Sequence, residues 1–538
     1  MGKRLLHTIS SFLCIVSLLS FLLPTLHALP LSTNSRWIVD SNTGQRVKLS
    51  CINWSSHLEL MVAEGLTKQP ADVISKKIKD MGFNCVRLTY PIYLPTNETL
   101  ASMTVRQSYL NNGLSKCMVA DLQAHNPSIV DLPLIDAIQA VVASLAKNKV
   151  MVILDNHVSK PQWCCAMTDG NGFFGDKYFD PEVWIKGLTR MATIFRDNPY
   201  VIGMSLRNEL RGPRQNADDW YRYMQRGAEA IHKANPNVLV ILSGLSYDSD
   251  LTFLKTKPVS LSFTGKLAFE VHQYSFSAGL DWRDNSANQV CGNMTESLMN
   301  NAGFLLEQGY PVYVGEWGLP LSGTSKDDRK FFNCFLALAV EHDLDWALWT
   351  LAGSYNLREG IIGDNEAFGL LTWNWTDVRN TTFLQKISVI QSPHRGPYPS
   401  YRHTHKIIFH PSTGQCIVKD PVKGIKLGNC FESDHWIYTP ELTIGIKDSF
   451  HCLKAKGLNH RARLATDCQG GGTRWLPISA SKLHLATELS YNSIACLDVD
   501  SNNTLITTTC KCLSIDDNSC DPGSQWFKIA DANAVTTS

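Results

Sequence analysis

The sequence predicts an α/β fold in which a (β/α)8 TIM barrel is followed by a smaller all-β trefoil domain. Short apolar runs alternate with helix-like patterns eight times before residue 390, as expected for a barrel with long loops. A proline-rich stretch then leads to a segment of short β-like runs with a repeated Cys–Cys–Trp spacing. The length of 538 residues suits two or three domains.

Composition excludes several classes of protein. Hydrophobic residues make up 44% of the chain and charged residues 18%, which is typical of a globular protein with a sizeable core. The formal net charge is +1 and there is no stripe of lysine and arginine, so we expect no nucleic-acid partner. After the N-terminal segment, no apolar stretch is long enough to predict a membrane span.

The first 28 residues are typical of a secretory signal peptide. Lys3 and Arg4 precede an apolar stretch from Ile9 to Leu23, which is shorter than the roughly 20 residues of a membrane-spanning helix. Pro24 ends that stretch, and cleavage is plausible near Ala28. A buried helix or a membrane anchor is the alternative. We therefore expect a secreted protein, extracellular or in a cell wall, with no membrane contact after the signal is removed.

The 16 cysteines support an oxidising compartment, where most of them would pair. The barrel region holds an odd number, so at least one is free or pairs outside its domain. Cys164 and Cys165 are adjacent, and we expect each to find a distant partner or one to stay free. Six sequons predict some N-glycosylation, although Asn53 lies at a strand end where a glycan is not expected; the six are Asn53, Asn97, Asn293, Asn374, Asn380 and Asn502.

The barrel is predicted over residues 29–390. A hairpin over 37–49 with its turn at 42–44 comes first. Nearly continuous apolar runs, typical of strands covered on both faces, predict strands at 47–54, 83–90, 150–157, 201–208, 238–243, 267–274, 311–316 and 345–351. Amphipathic patterns between them predict helices at 71–81, 134–148, 182–196, 218–233 and 326–341.

Two glutamates follow these apolar runs, Glu209 after the fourth and Glu316 after the seventh. Carboxyl ends of parallel barrel strands meet on one face, so we expect the two carboxylates to converge. A pair about 5 Å apart can cleave a glycosidic bond, because one carboxylic acid protonates the leaving oxygen and the other carboxylate attacks the sugar. The alternative for any single polar residue is that it marks where a strand reaches water.

Other polar and aromatic residues at strand ends fit the same chemistry. We expect Arg87 and Tyr274 to hold Glu316 ionised and His272 to orient Glu209. Asn208 would grip a sugar hydroxyl beside the reacting carbon, and Trp349 would form a floor for a sugar ring. His157 is expected to line the pocket, or alternatively to satisfy only a backbone carbonyl. Trp163, in the loop after the third strand, would line the cleft or pack that loop.

The combined pattern resembles glycoside hydrolase family 5, the cellulase and mannanase family, over roughly residues 36–390. Eight positions match its signature in order and strand: Arg87, His157, Asn208, Glu209, His272, Tyr274, Glu316 and Trp349. The resemblance implies a retaining mechanism with Glu209 as acid/base and Glu316 as nucleophile. Many members continue Asn-Glu-Pro, whereas this chain continues Asn208-Glu209-Leu210, a change expected to affect the loop's rigidity more than its chemistry.

The expected activity is endo-type hydrolysis of a β-1,4-linked polysaccharide, with no metal or organic cofactor. Side chains alone supply the proton transfer and covalent catalysis. The sequence leaves open whether the polysaccharide is a glucan, a mannan or a mixed-linkage chain. It also leaves open a transglycosylase and a catalytically weak carbohydrate-binding wall protein.

The C-terminal region divides into a predicted linker (391–401), an all-β domain (402–530) and a tail (531–538). Each of three repeats has a cysteine pair followed by a tryptophan, and the repeats resemble a ricin-type β-trefoil lectin. Trp436, Trp475 and Trp526 are expected in its core. Only the third repeat has Cys-Leu-Asp, so Asp498 with Asn502 or Asn503 is the candidate sugar site. The alternative is a trefoil that only packs on the barrel.

Overall fold

The structure is a computed structural model that describes residues 30–397, 404–422, 424–489 and 493–533. The predicted signal peptide lies outside the described residues, as do parts of the predicted linker and tail. Within the described ranges, no helix has the length and apolar character to cross a membrane.

Eight parallel strands close into a barrel, which confirms the predicted fold class. A short hairpin of β1 (Leu31–Asn34) and β2 (Trp37–Asp40) precedes it. Each barrel strand pairs with the next and the last pairs with the first, in the order β3 (Ser50–Trp54), β4 (Cys85–Pro91), β5 (Met151–Val158), β6 (Val201–Ser205), β7 (Leu239–Ser243), β8 (Leu267–Gln273), β9 (Val312–Trp317) and β10 (Asp345–Leu348).

The predicted hairpin over 37–49 forms only next to its turn. The Asp40 N–H donates to the Gln45 carbonyl at 2.9 Å, the Val47 N–H donates to the Ile38 carbonyl at 2.9 Å, and Val39 bridges Arg46 between them. The turn at 42–44 forms because the Asp40 carboxylate accepts the backbone N–H groups of the turn. β2 also pairs with β1, and the buried side chain of Arg46 binds Asp345 at 2.8 Å, which ties the returning segment to the barrel.

The five predicted helices are present, with ends that differ by a few residues. Asn216 caps the helix Ala217–Ala234, and Ser325 with Asp328 forms a capping box at Lys326–His342. The helices of the barrel region are Ala71–Asp80, Tyr93–Thr96, Glu98–Ser102, Val105–Asn111, Lys116–His125, Leu134–Lys147, Pro181–Ile194, Ala217–Ala234, Leu245–Asp248, Ala287–Leu298, Phe304–Glu307, Lys326–His342 and Thr381–Ile387.

The C-terminal region is built of antiparallel sheets, as the all-β prediction required. Trp436, Trp475 and Trp526 are fully buried, so the prediction that they are core residues is confirmed. Its strands are His405–His410, Gln415–Asp420, Gly424–Gly428, Trp436–Tyr438, Ile444–Ile446, Cys452–Lys454, His460–Arg461, Arg463–Ala465, Trp475–Ile478, His484–Glu488, Ile494–Val499, Leu505–Thr508 and Lys528–Ala532. The first of these pairs with the last.

Disulfides join most of the described cysteines. Cys117 is free and exposed, so the prediction of one unpaired barrel cysteine is confirmed. The expectation for the adjacent cysteines is wrong, because Cys164 and Cys165 are bonded to each other. That expectation rested on the difficulty of bonding adjacent cysteines, whereas here a cis peptide joins the two residues and their Cα atoms lie 3.1 Å apart. The other pairs are Cys51–Cys85, Cys291–Cys334, Cys416–Cys430, Cys452–Cys468, Cys496–Cys510 and Cys512–Cys520.

The apolar core of the barrel extends into the C-terminal region, which also has a core of its own. Trp526 packs in the same buried cluster as the barrel helices. Asn288, on the helix Ala287–Leu298, is 3% exposed and joins the regions by hydrogen bonds. It donates to the carbonyl of Cys512 at 2.7 Å and accepts from Trp526 Nε1 at 2.9 Å and from Ser481 Oγ at 2.7 Å. All the polar groups of this amide therefore bind the C-terminal region.

We expect Asn288→Ala to destabilise the folded chain. The change leaves the buried Trp526 N–H and Cys512 carbonyl without their partner, at about 1–3 kcal/mol for each unsatisfied group. Urea denaturation followed by tryptophan fluorescence would measure the loss. Glu296→Ala, an exposed position on the same helix, is the control. Equal midpoints for the two variants would contradict the importance of this contact.

Candidate active site

The eight residues singled out in the sequence surround one pocket of about 270 Å³ at the carboxyl ends of the barrel strands. Six line it directly: His157, Asn208, Glu209, Tyr274, Glu316 and Trp349. Arg87 and His272 are buried immediately behind them. Arg87 lies inside β4 and not at its end, and its long side chain reaches the pocket residues from below.

The two glutamates converge. Glu209 follows β6 and Glu316 lies in β9, and one carboxylate oxygen of each lies within 4.8 Å of the other and of a His272 ring nitrogen. A carboxylate separation of about 5 Å leaves no room for an intervening water and allows direct attack on a bound sugar. The arrangement therefore has the spacing that the sequence predicted.

Arg87 is the fully buried centre of the site. Its NH1 donates to Glu316 Oε1 at 3.0 Å and to Asn53 Oδ1 at 3.0 Å, and its NH2 donates to Asn208 Oδ1 at 2.9 Å. These bonds fix one carboxylate and two amide oxygens, which accept from Arg87 and lie on three other strands or strand ends. The burial of Asn53 also agrees with the expectation that it carries no glycan.

Two further carboxylates, which the sequence analysis missed, surround Arg87. Asp155 lies 3.0 Å from its NH2 and Glu270 lies 2.9 Å from its Nε, and both are fully buried. Burial alone would lower the pKa of Arg87, but Asp155, Glu270 and Glu316 raise it above its usual value. The guanidinium is therefore permanently charged. Glu270 had one usable signal, since it stands two residues before His272 and so shares its strand face.

Glu316 accepts from several donors. Tyr274 OH donates to its Oε2 at 2.8 Å, Arg87 holds Oε1, and His272 Nδ1 lies 3.7 Å from Oε2. Burial raises the pKa of Glu316 to about 7, against the lowering effect of His272 and Arg87. Burial alone would suit a proton donor. The two hydrogen bonds from Tyr274 and Arg87, together with the charge of His272, favour the carboxylate form, and this contact pattern separates Glu316 from Glu209.

His272 links the two carboxylates. Its Nδ1 lies 2.9 Å from Glu209 Oε1, and its Nε2 lies 3.5 Å from both Asp248 and Glu270. Burial alone would lower the pKa of His272, but the charges of Glu316 and Asp248 raise it well above 6.5. The ring is therefore an imidazolium that can donate to Glu209.

The backbone of Glu209 is in the left-handed region, with φ at 41°. A glutamate there is strained and needs support from its surroundings. Asp248, buried after β7, accepts the Glu209 N–H at 3.0 Å, and Arg211 NH1 donates to the Glu209 carbonyl at 2.7 Å. Neither supporting residue was found in the sequence, because Arg211 lies in a loop and Asp248 ends the four-residue helix Leu245–Asp248, which is too short to show a periodic pattern.

His157 does more than satisfy a backbone carbonyl. Its Nδ1 lies 2.7 Å from Asp155 Oδ2, and its ring stacks on Trp349 with centroids 5.6 Å apart and lies tilted against His57 with centroids 4.0 Å apart. Burial, together with the Arg87 charge, lowers the pKa of His157 well below its ordinary value. A neutral ring next to Trp349 therefore forms part of the pocket wall.

Several wall residues have no clear sequence signal. Arg358 lies over the Trp163 ring at 4.6 Å and pairs with Glu366 at 3.0 Å. Phe276 is 74% exposed and stacks on Tyr274 with centroids 5.0 Å apart. His57 and the Cys164–Cys165 disulfide also line the pocket. Trp163 does contact the pocket, whereas Phe173 and Phe174 are buried within their loop.

Two groups of side chains have ligand atoms close enough to hold a metal ion. In the first, Glu209, His272 and Glu316 are already paired with each other and with Arg87. In the second, His157 stands near Cys164 and Cys165, whose sulfurs are bonded to each other and offer no thiolate. In both groups, ligand atoms are therefore already engaged, in ion pairs in the first and in a disulfide in the second.

The candidate sugar site of the C-terminal region has a different character. Asp498 is 1% exposed, and its Oδ2 accepts from Thr508 Oγ1 at 2.6 Å, Lys511 Nζ at 2.8 Å and Gln525 Nε2 at 3.1 Å. Asn502 and Asn503 are exposed in the turn that follows. Sugar binding at these residues stays a prediction.

We expect Gly315→Ala to disrupt the charge cluster. A Cβ on Gly315 would meet Glu270 Oε1 at a distance far below van der Waals contact, so the buried carboxylate beside Arg87 would have to move. The expected loss of unfolding free energy is about 1–3 kcal/mol, typical of overpacking, and thermal denaturation would measure it. Gly323→Ala, where nothing lies within 4 Å, is the control. A Gly315→Ala melting temperature equal to that of the control would count against this cluster as a structural support.

Comparisons with known sequences match this chain to one family. The sequence model of the family described as Cellulase (glycosyl hydrolase family 5) matches residues 41–354. A "Glycosyl hydrolase 5 family protein" of Chamaecyparis obtusa is 41% identical over 526 residues, which cover 94% of each chain. An "Endoglucanase" of Paenibacillus polymyxa is 25% identical over 369 residues, covering 64% of this chain and 83% of the relative.

Solved structures show the same barrel fold. A hyperthermophilic endocellulase of Pyrococcus horikoshii superposes with a TM-score of 0.55 at 20% identity, covering 68% of this chain and 99% of that one. The catalytic domain of the major endoglucanase of Xanthomonas campestris superposes with a TM-score of 0.52 at 21% identity, covering 66% and 98%.

Proposed function

The chain belongs to glycosyl hydrolase family 5, and from this premise we propose that it is a retaining endo-β-glucanase that cleaves a β-1,4-linked polysaccharide. The observation that carries the proposal is the approach of Glu209 and Glu316, whose carboxylate oxygens lie within 4.8 Å. That spacing matches the roughly 5 Å of a double-displacement site and not the 6.5–9.5 Å of an inverting one.

In the first step, Glu316 attacks the anomeric carbon and forms a glycosyl ester. Glu209 gives its proton to the leaving oxygen, so the glycosidic C–O bond breaks as the ester bond forms. Arg87 and Tyr274 hold Glu316 by hydrogen bonds at 3.0 and 2.8 Å, which aim it at the sugar. Glu209 has neither of these donors, and its carboxylate contacts His272 instead.

In the second step, Glu209, now a carboxylate, takes a proton from water. The water attacks the anomeric carbon, the ester bond breaks and Glu316 is released. The imidazolium of His272, 2.9 Å from Glu209, stabilises the negative charge that Glu209 acquires between the two steps. The sugar retains its configuration because each step inverts it once.

Substrate binding is assigned to the pocket walls. Trp349 provides an aromatic ring, on which His157 stacks. Asn208 points an amide into the pocket. A β-glucan is preferred over a β-mannan because the relatives from Paenibacillus polymyxa and Xanthomonas campestris are named endoglucanases. No sequence or contact feature favours transglycosylation over hydrolysis.

We further propose that the enzyme is secreted and modular. Seven disulfides in the described chain support an oxidising setting, and the Xanthomonas campestris relative is named a major extracellular endoglucanase. The N-terminal 28 residues would be the signal peptide, 29–390 the barrel and 402–530 a ricin-type trefoil that binds a second carbohydrate. The three buried repeat tryptophans support the trefoil assignment.

The alternative is a wall protein that binds sugar without cleaving it. A 2-deoxy-2-fluoro glycoside of cellobiose with a good leaving group distinguishes the two, because an active site would be trapped as its glycosyl ester. Peptide mapping should find the label on Glu316. Binding of cello-oligosaccharides without label or turnover would favour the wall protein.

We expect Glu209→Ala and Glu316→Ala each to remove most hydrolysis of barley β-glucan while the fold is kept. Loss of the acid/base should cost on the order of 10²–10⁴-fold, and loss of the nucleophile at least as much. With an activated aryl cellobioside, azide should restore turnover in both variants. The azide product should have retained configuration for Glu209→Ala and inverted configuration for Glu316→Ala.

Glu296→Ala, on an outer helix, serves as the matched surface control for these variants and should hydrolyse β-glucan at the wild-type rate. Circular dichroism would confirm the fold of each protein. Full β-glucan hydrolysis by either pocket variant would refute the assignment, and the same azide product from both would refute the division of roles.

Tyr274→Phe should move the acid limb of the kcat/KM profile to higher pH. Glu316 must be ionised to attack, and the Tyr274 hydroxyl lowers its pKa, so losing that hydrogen bond raises the pKa and protonates the nucleophile at higher pH. Rates measured across pH 4–9 would show the shift. Tyr221→Phe, whose hydroxyl binds backbone carbonyls away from the pocket, is the control. An unmoved or lowered acid limb would contradict the role of Tyr274.

A further inference from the structure

We propose that the disulfide between Cys164 and Cys165 is a positioning element for Asn208, holding its amide group in place to bind the sugar hydroxyl beside the reacting carbon. This inference rests on the proposed function, since it concerns the same pocket. A covalent bond in the wall of the site would then affect turnover by positioning a side chain that touches the sugar.

The contacts of Asn208 fix its amide at both ends. Its Oδ1 accepts from Arg87 NH2 at 2.9 Å, and a guanidinium has no acceptor, so the oxygen must face Arg87. Its Nδ2 therefore faces the pocket, where it lies 3.6 Å from Cys164 Sγ and 3.5 Å from Cys165 Sγ. The two sulfurs are thus the fixed surface against which the amide nitrogen rests.

Sulfur suits this position because it is a weak acceptor. A carboxylate or carbonyl there would bind the amide hydrogens strongly and compete with the substrate. The disulfide sets where the NH2 group lies but leaves it able to donate to a sugar hydroxyl. Hydrogen bonds to that hydroxyl strengthen in the transition state of glycoside cleavage, so its alignment affects turnover more than binding.

The loop that carries the disulfide is linked to Glu209 through Arg211. Arg211 Nε donates to the carbonyl of Ala166 at 3.0 Å and its NH1 to the carbonyl of Glu209 at 2.7 Å, while its NH2 pairs with Asp169 at 2.5 Å. On the other side, Trp163 packs edge-to-face on Trp349 with centroids 6.4 Å apart. The sulfur pair is therefore held from both sides by groups of the same site.

Cleavage of this bond should release the restraint. A dithiol such as dithiothreitol would supply two electrons and two protons, the S–S bond would break into two thiols, and the dithiol would become a cyclic disulfide. Each thiol could then rotate separately, and the amide of Asn208 would lose its common support. A misplacement of about 1 Å can cost on the order of 100-fold in rate.

The test is the double variant Cys164→Ala/Cys165→Ala, assayed with cellotetraose. We expect kcat to fall about 10- to 100-fold with a much smaller change in KM. The control Cys512→Ala/Cys520→Ala also removes a disulfide between nearby cysteines, but in the C-terminal region, and should keep the wild-type kcat. A wild-type kcat for Cys164→Ala/Cys165→Ala would overturn the proposal.

A double-mutant cycle separates positioning from general loss of structure. If the disulfide acts through Asn208, then its removal in an Asn208→Ala background should lower kcat by less than about 3-fold, because coupled residues are not additive. The same small effect is expected with an aryl cellobioside that lacks the 2-hydroxyl at the reacting sugar. Equal fold losses with and without Asn208 would overturn the proposal in favour of a structural role.

If the double variant does not fold, the wild-type enzyme decides the question. Stepwise reduction with dithiothreitol should show kcat falling as Cys164 and Cys165 become reactive, which thiol labelling and peptide mapping of one part of each sample would follow. The unlabelled part should recover its kcat when air or oxidised glutathione takes up the two electrons and the disulfide forms again. Full activity with both labelled would overturn the inference. Failure of the proposed function looks different, since the untreated wild-type protein would then cleave none of the β-glucans.

Discussion

The buried guanidinium of Arg87 is the interaction on which the site depends. A cation taken out of water is very costly unless charged and hydrogen-bonding partners surround it. Here Asp155, Glu270 and Glu316 provide the charge, and Asn53 and Asn208 provide amide oxygens. Because these partners come from different strands of the barrel, the pocket is complete only when the barrel is closed.

The pocket and the residues behind it hold more acidic side chains than basic ones. The carboxylates of the cluster (Asp155, Glu209, Asp248, Glu270 and Glu316) outnumber the cations Arg87 and His272. In the proposed reaction, a sugar that loses its leaving group develops positive charge at the ring, and the fixed carboxylate of Glu316 would stabilise that charge. Burial strengthens the effect because little water is present to screen it.

The sequence was informative where function coincides with a strand end. Glu209, His272, Tyr274 and Trp349 each follow or end an apolar run, so their convergence could be inferred from the barrel alone. Asp155 and Glu270 are buried inside strands, and Asp248 supports Glu209 from the end of a short helix, so their roles follow from three-dimensional contacts. The alternation of Glu270 and His272 along β8 was the one signal for any of them in the sequence. The bond between Cys164 and Cys165 depends on local backbone geometry that composition and spacing do not encode.

The core shared by Trp526 and the barrel helices, with Asn288 bonded across it, has a mechanical consequence. A flexible linker would let an appended domain reach further along the polysaccharide. Here the C-terminal region is instead fixed to the barrel by packing and hydrogen bonds. A chain of sugar engaged by that region would enter the pocket at a set angle and a set distance. The C-terminal region would then fix the distance along the polymer between the segment it binds and the bond that is cleaved.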